Sequence, residues 1–148
     1  MEQNEKTNEK TNEKRNEIIR AFRKYARLGL TQSGLNPIQI YKRIDILCVS
    51  RRNKLDMLAV FDTLRILELN GDDDTLDAIY SVYFDGKAYR LDKHERGRRV
   101  IALAKEQYCD GRTVYRRLEK ARALYEKIRE REGLILDGEY SEKFDYQK

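Results

Sequence analysis

The chain has 148 residues, of which 39% are charged and 40% hydrophobic, and its formal net charge at pH 7 is +5. This length suits one compact domain with tails, or two very small helical modules. No apolar run approaches the roughly 18 residues of a membrane span, and the polar N-terminus is unlike a secretory signal. We therefore expect a cytoplasmic protein that does not contact a membrane.

The elements that the sequence predicts are all helical, because proline and glycine are scarce and Leu, Ile, Arg, Lys and Glu are abundant. Residues 1–15 repeat Asn-Glu-Lys and have almost nothing apolar to bury, which predicts a disordered, solvated tail. A first helix is expected from about Asn16 to Gly29. Asn36 and Pro37 form a start signal for a second helix, with asparagine as the cap and proline in the first turn.

A third helix is predicted from about Asn53 to Asn70, with core candidates that include Leu55, Phe61 and Leu69. Three aspartates, 72–74, follow it. They lack the spacing of a calcium-binding loop, so we interpret them as the capped first turn of a fourth helix rather than as a metal site. We expect residues 16–71 to serve in oligomerisation or partner contact.

Two further helices follow, separated by a short turn. Asp92 and Glu95 have the spacing of a capping box, and this helix is expected to end near Gln107. Asp110 can cap the next helix, which opens with arginine and threonine. This order predicts a helix-turn-helix whose second helix, starting near residue 111, reads the major groove of DNA.

Candidate residues can be assigned within this motif. The helix-turn-helix core is predicted to consist of Ile101, Ala104, Val114 and Leu118. The expected contacts with DNA bases are Arg112, Thr113, Arg116 and Lys120, because arginine pairs with guanine and threonine meets phosphate or a thymine methyl. The expected contacts with the DNA backbone are Tyr115, Arg117, Arg122, Arg98 and Arg99.

The positive charge is concentrated in the same part of the chain. Residues 1–86 hold 14 Lys or Arg and 14 Asp or Glu, whereas residues 87–132 hold 15 against 8, a net of +7. Residues 133–148 hold 2 against 4 and form an acidic tail. The predicted architecture is a small multi-helix bundle with residues 72–132 as the DNA-binding domain, because a localised basic surface suits phosphate neutralisation.

The segments TLDAIYSVYFDGK, VIALAKEQY and CDGRTVYRRLEKARALYEKI resemble the promoter-binding C-terminal domain of bacterial sigma factors. They are most similar to its variant in phage late-gene activators of the ArpU and RinA kind from Gram-positive bacteria. The resemblance covers about residues 74–131 and departs from the motif at Tyr108, where the turn usually contains glycine. It implies sequence-specific binding upstream of phage or prophage genes and raises contact with RNA polymerase as a further expectation.

Other functions remain open at this point. A phage packaging adaptor of the small-terminase kind could also carry a helix-turn-helix, and a basic helical hairpin could instead dock on an acidic protein. A homodimer would supply a second reading helix. We expect neither an enzyme nor a cofactor or metal site, since the single histidine leaves no nucleophile–base pair and no phosphate-binding glycine loop is present.

Overall fold

The fold is that of a computed structural model, which describes the backbone of residues 2–85 and 92–137 and the side chains of residues 9–85 and 92–133. Within these ranges the chain forms helices and no β-strand, which confirms the all-α prediction. The elements are α1 (Glu2–Arg27), α2 (Pro37–Leu47), α3 (Arg51–Leu69), α4 (Asp73–Ala78), a π-helix (Ile79–Phe84), α5 (Lys93–Glu106) and α6 (Gly111–Asp137).

Side-chain caps fix where several helices begin. Asn36 and Gln39 form a reciprocal capping box at α2, with both hydrogen bonds at 2.9 Å. Asp72 Oδ1 accepts from the Thr75 backbone N–H at 3.3 Å, so this aspartate caps α4 as expected. Asp92 Oδ1 accepts from the Glu95 N–H at 2.8 Å and starts α5. These starts follow from local chemistry, which explains why the sequence predicted them.

The N-terminal segment differs from the predicted disordered tail. Helix α1 already begins at Glu2, and among its described side chains, from residue 9 on, the first that is buried is Ile18. The side chains of residues 9–17 are exposed, in agreement with a solvated segment. One tie to the rest of the molecule is the ion pair between Lys14 and Glu126 of α6. Over residues 9–17 the helix therefore forms with helical propensity and this ion pair but without apolar burial.

Helix α6 lies at the centre of the bundle and packs against α1, α3, α4 and α5. The core around it contains Phe22 of α1, whose ring centroid lies 5.5 Å from that of Tyr83 and 5.6 Å from that of Tyr125. All three side chains are at most 5% exposed. One hydrophobic core therefore runs across the boundary predicted between residues 71 and 72.

Core predictions for α3 were partly wrong. Leu55 and Phe61 are buried, whereas Leu69 in the last turn is 75% exposed. The chain turns directly after this helix, with Gly71 at a φ of +69°. In the described part of the chain, no helix is long and apolar enough to cross a membrane.

The π-helix is held at its C-terminal end by two arginines from other helices. Arg23 of α1 donates to the Tyr83 carbonyl at 2.8 Å, and Arg99 of α5 donates to the Val82 carbonyl at 2.9 Å. The carbonyl of Asp85 accepts from both, at 3.3 Å and 2.5 Å. Carbonyl groups at a helix end lack partners within the helix, so these guanidinium groups satisfy them.

Candidate nucleic-acid interface

A four-residue turn, 107–110, joins α5 to α6. Tyr108 has a φ of +53°, and its side chain is 97% exposed. The Cys109 N–H donates to the Ala104 carbonyl at 2.9 Å, which closes the end of α5. Asp110 accepts from the Arg112 N–H through its side chain at 3.1 Å and from the Thr113 N–H through its carbonyl at 3.0 Å. Tyr108 thus takes the left-handed conformation that glycine favours in such turns.

The two helices meet in an apolar seam. Val100 and Ala104 of α5 are 1% and 5% exposed, and Val114 and Leu118 of α6 are 0% and 2% exposed. A Cβ added to Gly111 would lie 3.7 Å from the Val100 side chain, so α6 begins in close contact with α5. The predicted seam residues Ala104, Val114 and Leu118 are therefore buried as expected.

Ile101 was predicted in this seam and is not part of it. Its side chain is 57% exposed, whereas Val100, Leu103 and Ala104 are buried. Residues at i, i+3 and i+4 share one face of a helix, and Ile101 lies about 100° further round from Val100. Val100 occupies the place that was assigned to Ile101.

Several of the predicted DNA contacts are accessible at the N-terminal end of α6. Arg112 and Arg116 are exposed, Tyr115 is 50% exposed and Thr113 is partly exposed. Neither the Arg112 nor the Arg116 guanidinium has a hydrogen-bond or ion-pair partner within the described ranges. The first turn and a half of α6 therefore presents two unneutralised positive charges to solvent.

Lys120 and Arg117 are engaged with other parts of the protein. Lys120 Nζ lies 2.5 Å from Asp72 Oδ2, and this hydrogen bond is the main cause that lowers the pKa of the Asp72 carboxyl. Arg117 donates to Gln107 Oε1 at 2.6 Å and lies 3.6 Å from Asp74. Both side chains connect α6 to its neighbours, in place of the free DNA contacts predicted from their spacing.

The remaining predicted backbone contacts fall into two groups. Arg99 has a side chain only 13% exposed and holds the π-helix, and Arg122 donates to the Tyr83 hydroxyl at 2.7 Å. Arg98 is 69% exposed and pairs with Glu95 at 3.2 Å, so it faces solvent. Arg99 and Arg122 point inward because their hydrogen-bond partners lie at positions 82–85. The sequence pattern does not show that these positions are close to α5 and α6.

Sequence reasoning did not assign any function to Lys105 and Tyr108, although both are exposed beside the turn. Only their positions in the sequence could have suggested a role: Lys105 precedes the turn, and Tyr108 lies within it. Arg15, Lys93 and Arg96 also line a cavity together with Arg122. No local motif predicts that grouping, because it joins residues of α1, α5 and α6.

The conformation of Tyr108 leads to a stability prediction. Tyr108→Gly should raise the free energy of unfolding by up to about 1 kcal/mol, because glycine adopts a positive φ without steric cost and this exposed ring has little packing to lose. Urea unfolding measures the change. Tyr108→Ala is the matched control, since it removes the ring but keeps the strain. A glycine variant no more stable than the alanine variant would contradict this explanation.

Comparison of the chain with protein-family models, with curated proteins and with solved structures gives no significant match.

Proposed function

We propose that this protein is a sequence-specific, double-stranded DNA-binding regulator of transcription, with α5 and α6 acting as a helix-turn-helix. The observation that carries the proposal is the pair of exposed guanidinium groups of Arg112 and Arg116 at the start of α6, which have no partner among the residues that the structure describes. They follow directly on a tight turn and a buried seam, the arrangement by which such motifs hold a reading helix.

The packing of α6 limits which part of it can enter a groove. One face of α6, which carries Ala121 and Tyr125, is buried in the bundle, and the exposed Arg112 and Arg116 place the proposed contact at its N-terminal end. This agrees with helix-turn-helix proteins, in which the N-terminal residues of the second helix contact base edges. In the proposal, Arg112 and Arg116 read guanines, and Thr113 and Tyr115 contact a phosphate or a thymine methyl.

The charge distribution also supports a DNA-binding surface at the start of α6, but it leaves fewer cations available to DNA than the charge count of the sequence suggested. Of the net +7 in residues 87–132, part is neutralised by internal pairs such as Lys120–Asp72 and Arg129–Asp56. The finer part of the proposal rests on the sequence resemblance alone: a phage or prophage origin, a site upstream of late genes, contact with RNA polymerase, and activity in the bacterial cytoplasm. A homodimer would supply the second half-site contact.

The test starts by selecting bound sequences from random double-stranded DNA with the full chain. On the selected site, Arg112→Gln and Arg116→Gln should each weaken binding about 10- to 100-fold, because a bidentate arginine–guanine contact contributes about 1–3 kcal/mol. The matched control is Lys127→Gln, which removes an exposed positive charge further along the same helix. It should change affinity less than about threefold, and all three variants should keep the wild-type melting temperature.

Other results would assign another class. If no sequence is enriched and native mass measurement shows a ring, the protein is a packaging adaptor rather than a regulator. If the protein is not retained on DNA at low salt, the basic surface serves a protein partner. Equal affinities of the Arg112 and Arg116 variants and the wild type would refute the proposed reading surface.

A further inference from the structure

A cavity of about 350 Å3 lies between α1, the π-helix, α5 and α6. Four basic side chains line it: Arg15 of α1, Lys93 and Arg96 of α5, and Arg122 of α6. None of the described residues that line it is acidic. Three separate helices thus bring four positive charges to one concave site.

Most of these cations lack a negative partner. Within the ranges that the structure describes, Arg15 and Lys93 form no ion pair, and the buried Nε atom of Arg96 has no hydrogen-bond partner. Buried polar nitrogen atoms without partners are rare, because each costs free energy relative to its hydrated state. An anion in the cavity would neutralise the charges of Arg15 and Lys93, which no carboxylate of the described residues pairs with.

The inner wall of the cavity includes the phenol of Tyr83, which is 1% exposed and accepts a hydrogen bond from Arg122 at 2.7 Å. Burial raises the pKa of Tyr83, while the charges of Arg122, Arg96 and Arg15 act in the opposite direction. All three guanidinium groups are therefore close enough to influence one hydroxyl. Because that hydroxyl stays protonated, its O–H can donate to a bound anion.

We propose that this cavity binds a small molecule that carries a diphosphate group. The four cations suit the charge of a diphosphate, and guanidinium groups bind phosphate oxygens with paired hydrogen bonds. The rest of the wall is mixed: Val82, Val100 and Leu118 are apolar, while Asn12, Asn16 and Tyr115 can form hydrogen bonds or pack against the remainder of the ligand. The volume lies at the lower end of the range for small-molecule sites.

The cavity favours a small ligand over the backbone of DNA. Its lining includes Val82, Val100 and Leu118, each at most 2% exposed, so it reaches into the packed interior. Duplex phosphates stay at the surface of a protein, where the exposed Arg112 and Arg116 are better placed. Tyr115 lines the cavity and is also a contact in the proposed DNA interface, so the two surfaces adjoin, but a diphosphate can bind here whether or not the protein regulates transcription.

Calorimetric titration of the full chain tests this site, with inorganic pyrophosphate and ATP as separate probes in a phosphate-free buffer. Both should bind saturably with dissociation constants below about 1 mM. Arg96→Gln and Arg15→Gln should each weaken binding about tenfold or more, since each removes a charge-assisted hydrogen bond. Lys127→Gln, with the same loss of charge on an exposed site outside the cavity, should leave both constants within about twofold.

Arg15 is exposed and has no internal partner among the described residues, so its variant reports on binding without the loss of an internal contact. Absence of saturable binding to both probes would overturn the proposal, as would an equal loss in the Lys127 variant. If neither probe binds and the Arg15 and Arg96 variants lose affinity for duplex DNA, the basic side chains of the cavity serve DNA binding, and the proposed diphosphate site is again overturned. Unchanged pyrophosphate binding in Arg112→Gln would separate this site from the DNA-reading surface.

Discussion

Arg99→Gln is expected to lower the free energy of unfolding by about 2–3 kcal/mol, because the variant leaves the Val82 carbonyl without a charged donor and the Asp85 carbonyl with Arg23 alone. Arg99 donates to the carbonyls of Val82 and Asp85 and pairs with Glu95 at 3.3 Å. Its side chain is only 13% exposed, so water cannot easily replace it. Urea unfolding followed by circular dichroism measures the loss.

The neighbouring arginine provides the control for this prediction. Arg98→Gln removes the same charge one residue earlier, but its side chain is 69% exposed and pairs only with Glu95. An exposed ion pair of this kind contributes about 0–1 kcal/mol, so this variant should be nearly as stable as the wild type. Equal losses in the two variants would show that Arg99 does not stabilise the fold through the π-helix.

Glu132→Gln should make the protein more stable at alkaline pH and flatten the dependence of its stability on pH. Glu132 of α6 forms a hydrogen bond with Asp62 of α3, and burial, that bond and the charge of Asp62 raise the pKa of Glu132 to about 9. Between its ordinary value of 4.5 and about 9, the unfolded chain is ionised at this residue while the folded protein holds the proton. Wild-type stability should therefore fall as pH rises through this window.

In the variant, the glutamine amide can donate to Asp62 as the protonated acid does, and it does not ionise. At pH 8 we expect a gain of about 1–2 kcal/mol over the wild type, a figure that allows for solvent screening at a half-buried side chain. Thermal unfolding between pH 5 and 9 measures both curves. The control is Glu130→Gln on the exposed face of α6, which should keep the wild-type slope. A wild-type stability that does not vary across this range would contradict the raised pKa.

Features that depend on neighbouring residues could be predicted from the sequence. The caps at Asn36, Asp72 and Asp92 are each recognisable from a polar residue before a helical pattern. The buried positions Val114 and Leu118 follow in the same way from helical periodicity. For these residues local chemistry and tertiary packing agree, so the expectation and the structure coincide.

Features that depend on distant partners could not be predicted. Arg116, which we propose reads DNA, and Arg99, which holds carbonyl groups, cannot be told apart from their places in the sequence pattern. What separates them is the π-helix at residues 79–84, whose end lies beside Arg99 only in the folded chain. Charge count in the sequence therefore overstated the number of cations free for a partner.

The length of α6 has a consequence for how binding specificity could change. Its 27 residues extend without a break over about 40 Å, from the exposed Arg112 to the segment packed on α3. The exposed end cannot be re-aimed alone, because a tilt there would displace buried side chains such as Tyr125. If α6 reads DNA as proposed, new target sequences would arise by exchanging side chains on a fixed support, and variants at 112 and 116 should be recoverable with little loss of folding.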